Sequence, residues 1–288
     1  MSNIRAQNQK KTTSPFGSYA FGEFASNEAE LTRLEQQATV AWPLERKKLL
    51  EGGLQPGMRV LDLASSPGFI RRHIASELGP KGEVVGVDLN DKLLAVANHV
   101  AAAWNETDDT SHAGLSFQKG NAYQLDFADD SFDFVYARFL FQHLEQPLDA
   151  IAEIRRVLKP GGRFAIADID DSVFSILPEP PGLIDMLALA SAAQAKRGGD
   201  RQIGRKLTYY LKKAGFEDIA TDLEFISSND IGLEQFLAIT TKFKIELLDE
   251  EHRAAAKQVL DSKALNDPSE MTHAIAGVYA VSGSVPKK

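Results

Sequence analysis

The sequence predicts a doubly wound α/β domain, a largely parallel sheet covered by helices on both faces. Three observations carry this reading. Between Pro56 and Asp171 the apolar spacing alternates between short runs of strand length and the three-and-four spacing of helices. Each short run follows Gly, Pro or Asp turn chemistry. The runs are nearly continuous in apolar residues, as strands buried on both faces are, and helical crossovers between them imply parallel, right-handed connections.

Taken in order, residues 1–18 are polar and read as a flexible tail, with 19–288 as one domain. A helical pattern begins at Asn27, with Leu31, Leu34 and Ala38 on one stripe and Glu30 placed for a capping box. A second short helix is expected after Pro43, ending at Gly52–Gly53. Strands are expected at Met58–Ala64, Glu83–Asp88, Leu115–Lys119, Phe132–Ala137 and Arg163–Ile169. Between them, Phe69–Leu78, Asp91–Trp104 and Pro147–Leu158 carry amphipathic helical stripes, the last with Pro in its first turn. Beyond Asp171, Pro178, Pro180, Pro181 and Gly182 form a rigid loop. Leu183–Lys196 and Leu207–Ala214 read as helices, and Phe216–Phe225 and His273–Val281 as the last strands. Helical patterns at Gly232–Thr241 and Leu248–Leu260 lie between those two strands. The segments 19–53, 172–200 and 226–270 are thus expected to cover a binding core at 54–171, the last two as lid insertions.

Composition excludes several functions. The 288 residues hold 32 Lys+Arg and 40 Asp+Glu, a net charge of −8, and no cysteine. Thiolate catalysis, disulfides and Cys-ligated metal are out, and the negative charge argues against nucleic acid as a partner. No apolar run reaches the ~18 residues a membrane span needs, and no signal peptide is visible. The expectation is a cytoplasmic protein.

In an open α/β sheet, ligands bind at the carboxyl ends of the strands. The first predicted strand ends Asp62–Leu63–Ala64–Ser65–Ser66–Pro67–Gly68 and runs straight into a helix, whose first amides suit an anionic group. The second ends in Asp88, an acid able to accept both hydroxyl hydrogens of a ribose. The third ends Gly120–Asn121–Ala122, offering an amide side chain and a main-chain N–H suited to an adenine edge.

Here the sequence resembles the class I S-adenosylmethionine-dependent methyltransferases, and most of all their small-molecule branch in quinone and natural-product biosynthesis. The residues that carry the resemblance are Pro56–Leu63, Pro67–Gly68, Gly86–Asp88, Phe132–Val135, Ala137–Phe139, Gln142–Leu144 and Arg155–Gly162. Tyr19, Gly22, Leu34 and Gln37 extend it toward the N-terminus, and Ile203–Arg205 and Ala214–Phe216 toward the C-terminus. The family implies a Rossmann-like sheet of seven strands with the last antiparallel, and S-adenosyl-L-methionine as cofactor. Carried over, Asp62, Ala64, Ser65, Ser66 and Gly68 would cradle its methionine part. Asp88 would bind the ribose with Leu89 against the adenine, Asn121 and Ala122 would read the adenine edge, Arg138 would close the site and Tyr19 would reach in from the N-terminal segment. Two departures stand out. Ala64–Ser65–Ser66 replaces the usual Gly-x-Gly, so that Ser66 either hydrogen-bonds the cofactor carboxylate or crowds it. Asn121 replaces the commoner Asp.

The implied reaction is methyl transfer to an O, N or C atom of a small acceptor, apolar or aromatic if Phe139, Phe141 and Phe174 line its pocket rather than the core. His143 is the candidate base, with packing at the start of the 147–158 helix as the other reading. Asp170 is the candidate acid toward the acceptor. No metal is expected. A noncatalytic or repurposed protein that binds the same cofactor on the same fold is the alternative.

Overall fold

The computed structural model describes residues 26–106, 111–267, 270 and 272–287. The tail at 1–18 and the candidate residue Tyr19 lie outside them.

The chain opens with α1 (Asn27–Glu51), capped by Ser26, whose side chain accepts from the Ala29 amide at 3.2 Å. Neither the capping box at Asn27 nor the break at Pro43 is found: Glu30 instead forms a two-point ion pair with Arg33, and the helix runs through Pro43. Proline deletes one helical hydrogen bond, but the buried stripe Ala38, Ala41, Glu45, Leu49 continues on both sides of it and holds the turns together.

There follow β1 (Arg59–Leu63), α2 (Phe69–Leu78), β2 (Glu83–Asp88), α3 (Asp91–Asn105), β3 (Gly114–Lys119), β4 (Phe132–Arg138), α4 (Pro147–Val157) and β5 (Leu158–Ile169). After a short 3₁₀ turn come β6 (Ser175–Leu177), α5 (Leu183–Lys196), α6 (Gly204–Lys213) and β7 (Glu217–Ser227). Four short helices and one longer one, α7 (Ser228–Ile231), α8 (Leu233–Thr240), α9 (Lys242–Glu246), α10 (Glu250–Leu260) and α11 (Lys263–Asn266), lead into β8 (His273–Ser284).

Strands β3, β2, β1, β4 and β5 lie side by side in that order and parallel. β8 runs antiparallel to β5 on one side and to β7 on the other, so the last strand is inserted rather than placed at the edge. The sheet has eight strands where seven were expected. The extra one, β6, prolongs the β5 side by pairing Ser175–Leu177 with His273–Ile275. Three residues ahead of a Pro-rich loop carry no period, so the sequence reads as loop there.

Alternate residues of the strands feed two cores. Leu61, Leu63, Val85 and Val87 face α4 and α6 through Ile151, Ile154 and Leu207. Val60, Val84 and Phe134 face α1, α2 and α3 through Leu49, Ile74 and Ala101. A third cluster joins Phe174, Ile176, Met186, Phe236, Leu248 and Val259, and so packs α5, α8 and α10 against β6. Strand order reverses between β1 and β4, which fixes the switch point of the sheet.

Candidate active site

A cavity of about 380 Å³ opens at that point, walled by the ends of β1, β2, β4 and β5, by α1, and by α8 and α9. At the β1–β2 end, the turn after β1 sets its shape. Ala64 and Ser66 both hold positive φ, +55° and +49°, and Gly68 follows at +85°. Side chains other than Gly adopt this conformation at a cost of about 1–3 kcal/mol, so Ala64 is more than a methyl added to a tight turn. The Ser66 amide donates to Asp88 Oδ2 at 2.8 Å and the Asn90 amide to Oδ1 at 2.9 Å. The Leu89 amide also bonds this carboxylate, which with about four lone-pair sites keeps room for a further donor. Burial pushes the Asp88 carboxyl above its usual range, against the pull of these amides. Ala64, Ser66, Asp88, Leu89, Asn121 and Arg138 all line the cavity. Asn121 Oδ1 also accepts from the Tyr123 amide at 3.0 Å, which leaves one of its lone pairs for a ligand.

Other candidates sit beneath the wall rather than on it. Asp62 is buried against Arg71, with Oδ2 and Nη2 2.6 Å apart and the guanidinium 4.7 Å from the Phe117 ring centre. Burial raises the Asp62 carboxyl, against the pull of Arg71. Gly68 faces the same interior: a Cβ there would meet the Phe117 ring at 2.8 Å. Its bareness makes room for Phe117, not for a ligand. Ser65 is buried, its hydroxyl without a partner, and Ala122 packs on the core.

Arg138 contributes more than backbone. Its guanidinium holds Glu45 of α1 at 2.6 Å, Glu45 also accepts from the Tyr136 hydroxyl at 3.0 Å, and the Gln37 carbonyl accepts from Arg138 Nη2 at 3.3 Å. This fastens α1 over the switch point. The sequence signal was a lone acid, Glu45, on an otherwise apolar stripe.

At the β5 end the walls are charged side chains. Asp170 is fully used: Oδ1 accepts from the Ser172 amide and hydroxyl and from Arg205, and Oδ2 from the Arg205 amide and Nε. Burial would raise its carboxyl, but the bonds from Arg205 and Ser172 outweigh that and lower it. It is an anchor for the start of α6 and has no room for the acidic role expected of it. Asp171 pairs with Arg201 through both oxygens and lies 3.3 Å from Lys244 Nζ. Arg201 Nη1 donates to Gln194 Oε1 at 2.9 Å, and Gln194 Nε2 donates to the Gln142 carbonyl and toward His143 Nδ1 at 3.4 Å. That contact puts the ring's own proton on Nε2. Burial first, then Arg201 and Arg33, hold the His143 ring neutral with a pKa of about 3. A ring so weakly basic is a poor proton acceptor. Phe139 and Phe174 line the cavity, whereas Phe141 is core. Arg33, Glu45, Arg201, Lys244 and Phe243 escaped the sequence reading, because single charges on helices and turns are ordinarily solvated and a lone aromatic is ordinarily core.

Five parallel strands in the order 3-2-1-4-5 and a late antiparallel insertion make a Rossmann-like α/β sheet, with an acid at the end of β2 below a left-handed turn. Residues 61–166 match the family described as a methyltransferase domain. Over 117 residues the chain is 38% identical to the ubiquinone/menaquinone biosynthesis C-methyltransferase UbiE of Ectopseudomonas mendocina (strain ymp), covering 40% of this chain and 43% of that protein. It is 32% identical over 129 residues to a demethylmenaquinone methyltransferase of Listeria welshimeri, 45% of this chain and 51% of that one. The matched segment thus spans about half the length of these relatives. Among solved structures, the [4+2]-cyclase SpnF aligns at TM-score 0.57 and 22% identity, over 86% of this chain and 82% of that one. Phosphoethanolamine N-methyltransferase 2 of Haemonchus contortus, solved with S-adenosyl-L-methionine, aligns at 0.56 and 22%, over 85% and 53%. At such identity these two speak for the fold alone.

Proposed function

We propose that this protein binds S-adenosyl-L-methionine and transfers its methyl group to an O, N or C atom of a small organic acceptor. One observation carries the reading: Asp88 faces the cavity with both oxygens tethered by main-chain amides and acceptor capacity left over. That is the acceptor pair a ribose diol needs. Ser66, Ala64 and Arg138 would hold the methionine part, Leu89 and Asn121 the adenine. Asp62 and Gly68 would act from beneath, by fixing the turn. The cofactor supplies an electrophilic methyl on a sulfonium, which an acceptor lone pair takes in line as the C–S electrons return to sulfur, leaving S-adenosylhomocysteine and a proton released by the acceptor.

The chain's own contribution is placement. Holding the reactants in line can lower a barrier by about 7–11 kcal/mol without a base, and His143, neutral at every physiological pH, orients rather than deprotonates. Helices α5 and α8–α11 serve as the lid, with α1 fastened over the opposite side. The cavity is on the scale of small-molecule sites. No helix among the described residues is long and apolar enough to cross a membrane, and we place the enzyme in the cytoplasm, acting on a small molecule rather than on nucleic acid.

Asp88→Ala tests the assignment. Calorimetry should show S-adenosylhomocysteine bound at least about tenfold more weakly, roughly 1.4 kcal/mol. An unchanged dissociation constant would contradict it, and wild-type protein that takes up neither form of the cofactor would end the case for methyl transfer.

A further inference from the structure

Among the described residues, the β5 end of the cavity carries a cation, Lys244, that shares its carboxylate with Arg201. Glu30 is engaged by Arg33 through two contacts of 2.7 Å each. Asp171 is engaged by Arg201 through both its oxygens. The third cation, Lys244, reaches only Asp171 Oδ1, already bonded to Arg201, at the longer distance of 3.3 Å. Its ammonium lies 4.1 Å from the Phe174 ring centre and its side chain is 3% exposed. Among the described residues, three largely buried cations therefore face two carboxylates, where an uncompensated charge is costly. Asp168 does not supply a full charge: burial pushes its carboxyl up to about 7, against bonds from the Ile169 and Gln142 amides and the pull of Arg201, so it keeps its proton below that pH. Burial, the largest influence, and then Arg201 lower Lys244 to about 8, with Asp171 opposing, as expected of an ammonium short of a counter-ion.

We propose that the acceptor bears a carboxylate, and that Lys244, with Arg201 behind it, is the specificity-determining residue that receives it. The inference rests on the methyl-transfer reading and deepens it. The cofactor's own carboxylate does not serve as the counter-ion. It would lie at the turn after β1, and β1 is two strands from β5 across β4, roughly 10 Å at the usual strand spacing. Phe174 and Phe243, on two sides of the same cluster, suit a flat apolar body attached to the acid.

The test uses the full chain saturated with S-adenosylhomocysteine and a matched pair of probes, 2-naphthoate and 2-naphthamide, followed by calorimetry. The acid should bind at least about tenfold more tightly than the amide. In Lys244→Met that advantage should vanish while S-adenosylhomocysteine affinity stays as in the wild type, since Asp171 keeps Arg201. Equal affinities for acid and amide in the wild type overturn the proposal without any variant. So does an acid that fails to saturate, is displaced by cofactor, or keeps its advantage in Lys244→Met. Failure of S-adenosylhomocysteine to bind at the outset is a different result and removes the methyl-transfer reading itself.

Discussion

The two ends of the cavity are built from different material. At the β1–β2 end the wall is main chain: amides of Ser66 and Asn90, a turn forced through positive φ, and one acid that those amides hold in place. Two further charges there, Asp62 and Arg71, are sealed below the surface as a pair. At the β5 end the wall is side chains drawn from α1, the tail of β5, the start of α6, and α9. Main chain suits a partner of fixed shape, because it cannot be altered by substitution without moving the turn. Side chains can be exchanged singly, so this end is the one that can be retuned from one acceptor to another.

The contrast predicts where damage is greatest. Asp62→Asn should leave the Arg71 guanidinium buried without a counter-charge and cost about 3–5 kcal/mol of unfolding free energy, measured by urea denaturation. Asp62→Asn combined with Arg71→Met should recover most of that loss. A single variant within about 0.5 kcal/mol of wild type would mean that the β1–β2 end is held by its turn alone.

A smaller effect, with its own signature, belongs to the β5 end. Burial raises the Asp168 carboxyl from its ordinary 3.8 to about 7, against bonds from the Ile169 and Gln142 amides. The folded protein therefore keeps this proton across a range in which the unfolded chain has lost it. The stability it contributes is complete below pH 3.8 and is lost as pH rises through about 7. Urea unfolding of wild type and Asp168→Asn at about pH 5 and about pH 8 should show the difference between them moving against the wild type at the higher pH. A difference that does not change with pH would show that Asp168 enters the fold ionised.

How much of this could be read beforehand follows the same division. The strands and the turn after β1 were legible because their signals are local: apolar runs of strand length, Gly and Pro punctuation, and an acid at the end of the second strand. Six of the eleven expected cofactor residues, Ala64, Ser66, Asp88, Leu89, Asn121 and Arg138, come together at the cavity. Sequence cannot tell whether the bare Cα of Gly68 faces a ligand or a side chain; in the structure it faces the ring of Phe117, 49 positions on. The break at Pro43 was a local signal overruled by tertiary packing of the stripe on either side. The cluster of Arg33, Arg201 and Lys244 left no trace, since its members are far apart in the chain and each, taken singly, is an ordinary helix or loop charge.

The smallest predicted effect decides how strictly the β1–β2 end depends on main chain. Ser66 holds φ at +49° on the cavity wall. Ser66→Gly relieves that strain, worth about 1–3 kcal/mol, but it also frees the unfolded chain by about 0.4–1 kcal/mol. The net gain in stability should therefore be modest, about 0.5–2 kcal/mol. Affinity for S-adenosylhomocysteine reads the other half of the question. If recognition here is by main chain, removing the hydroxymethyl group lets the ligand approach the backbone, and affinity should rise by about twofold to fivefold, less than 1 kcal/mol. A fall instead would mean that the Ser66 hydroxyl itself bonds the ligand. The β1–β2 end would then share with the β5 end a side chain chosen for its partner, and the division between a fixed half and a tunable half would fail at its most exposed point.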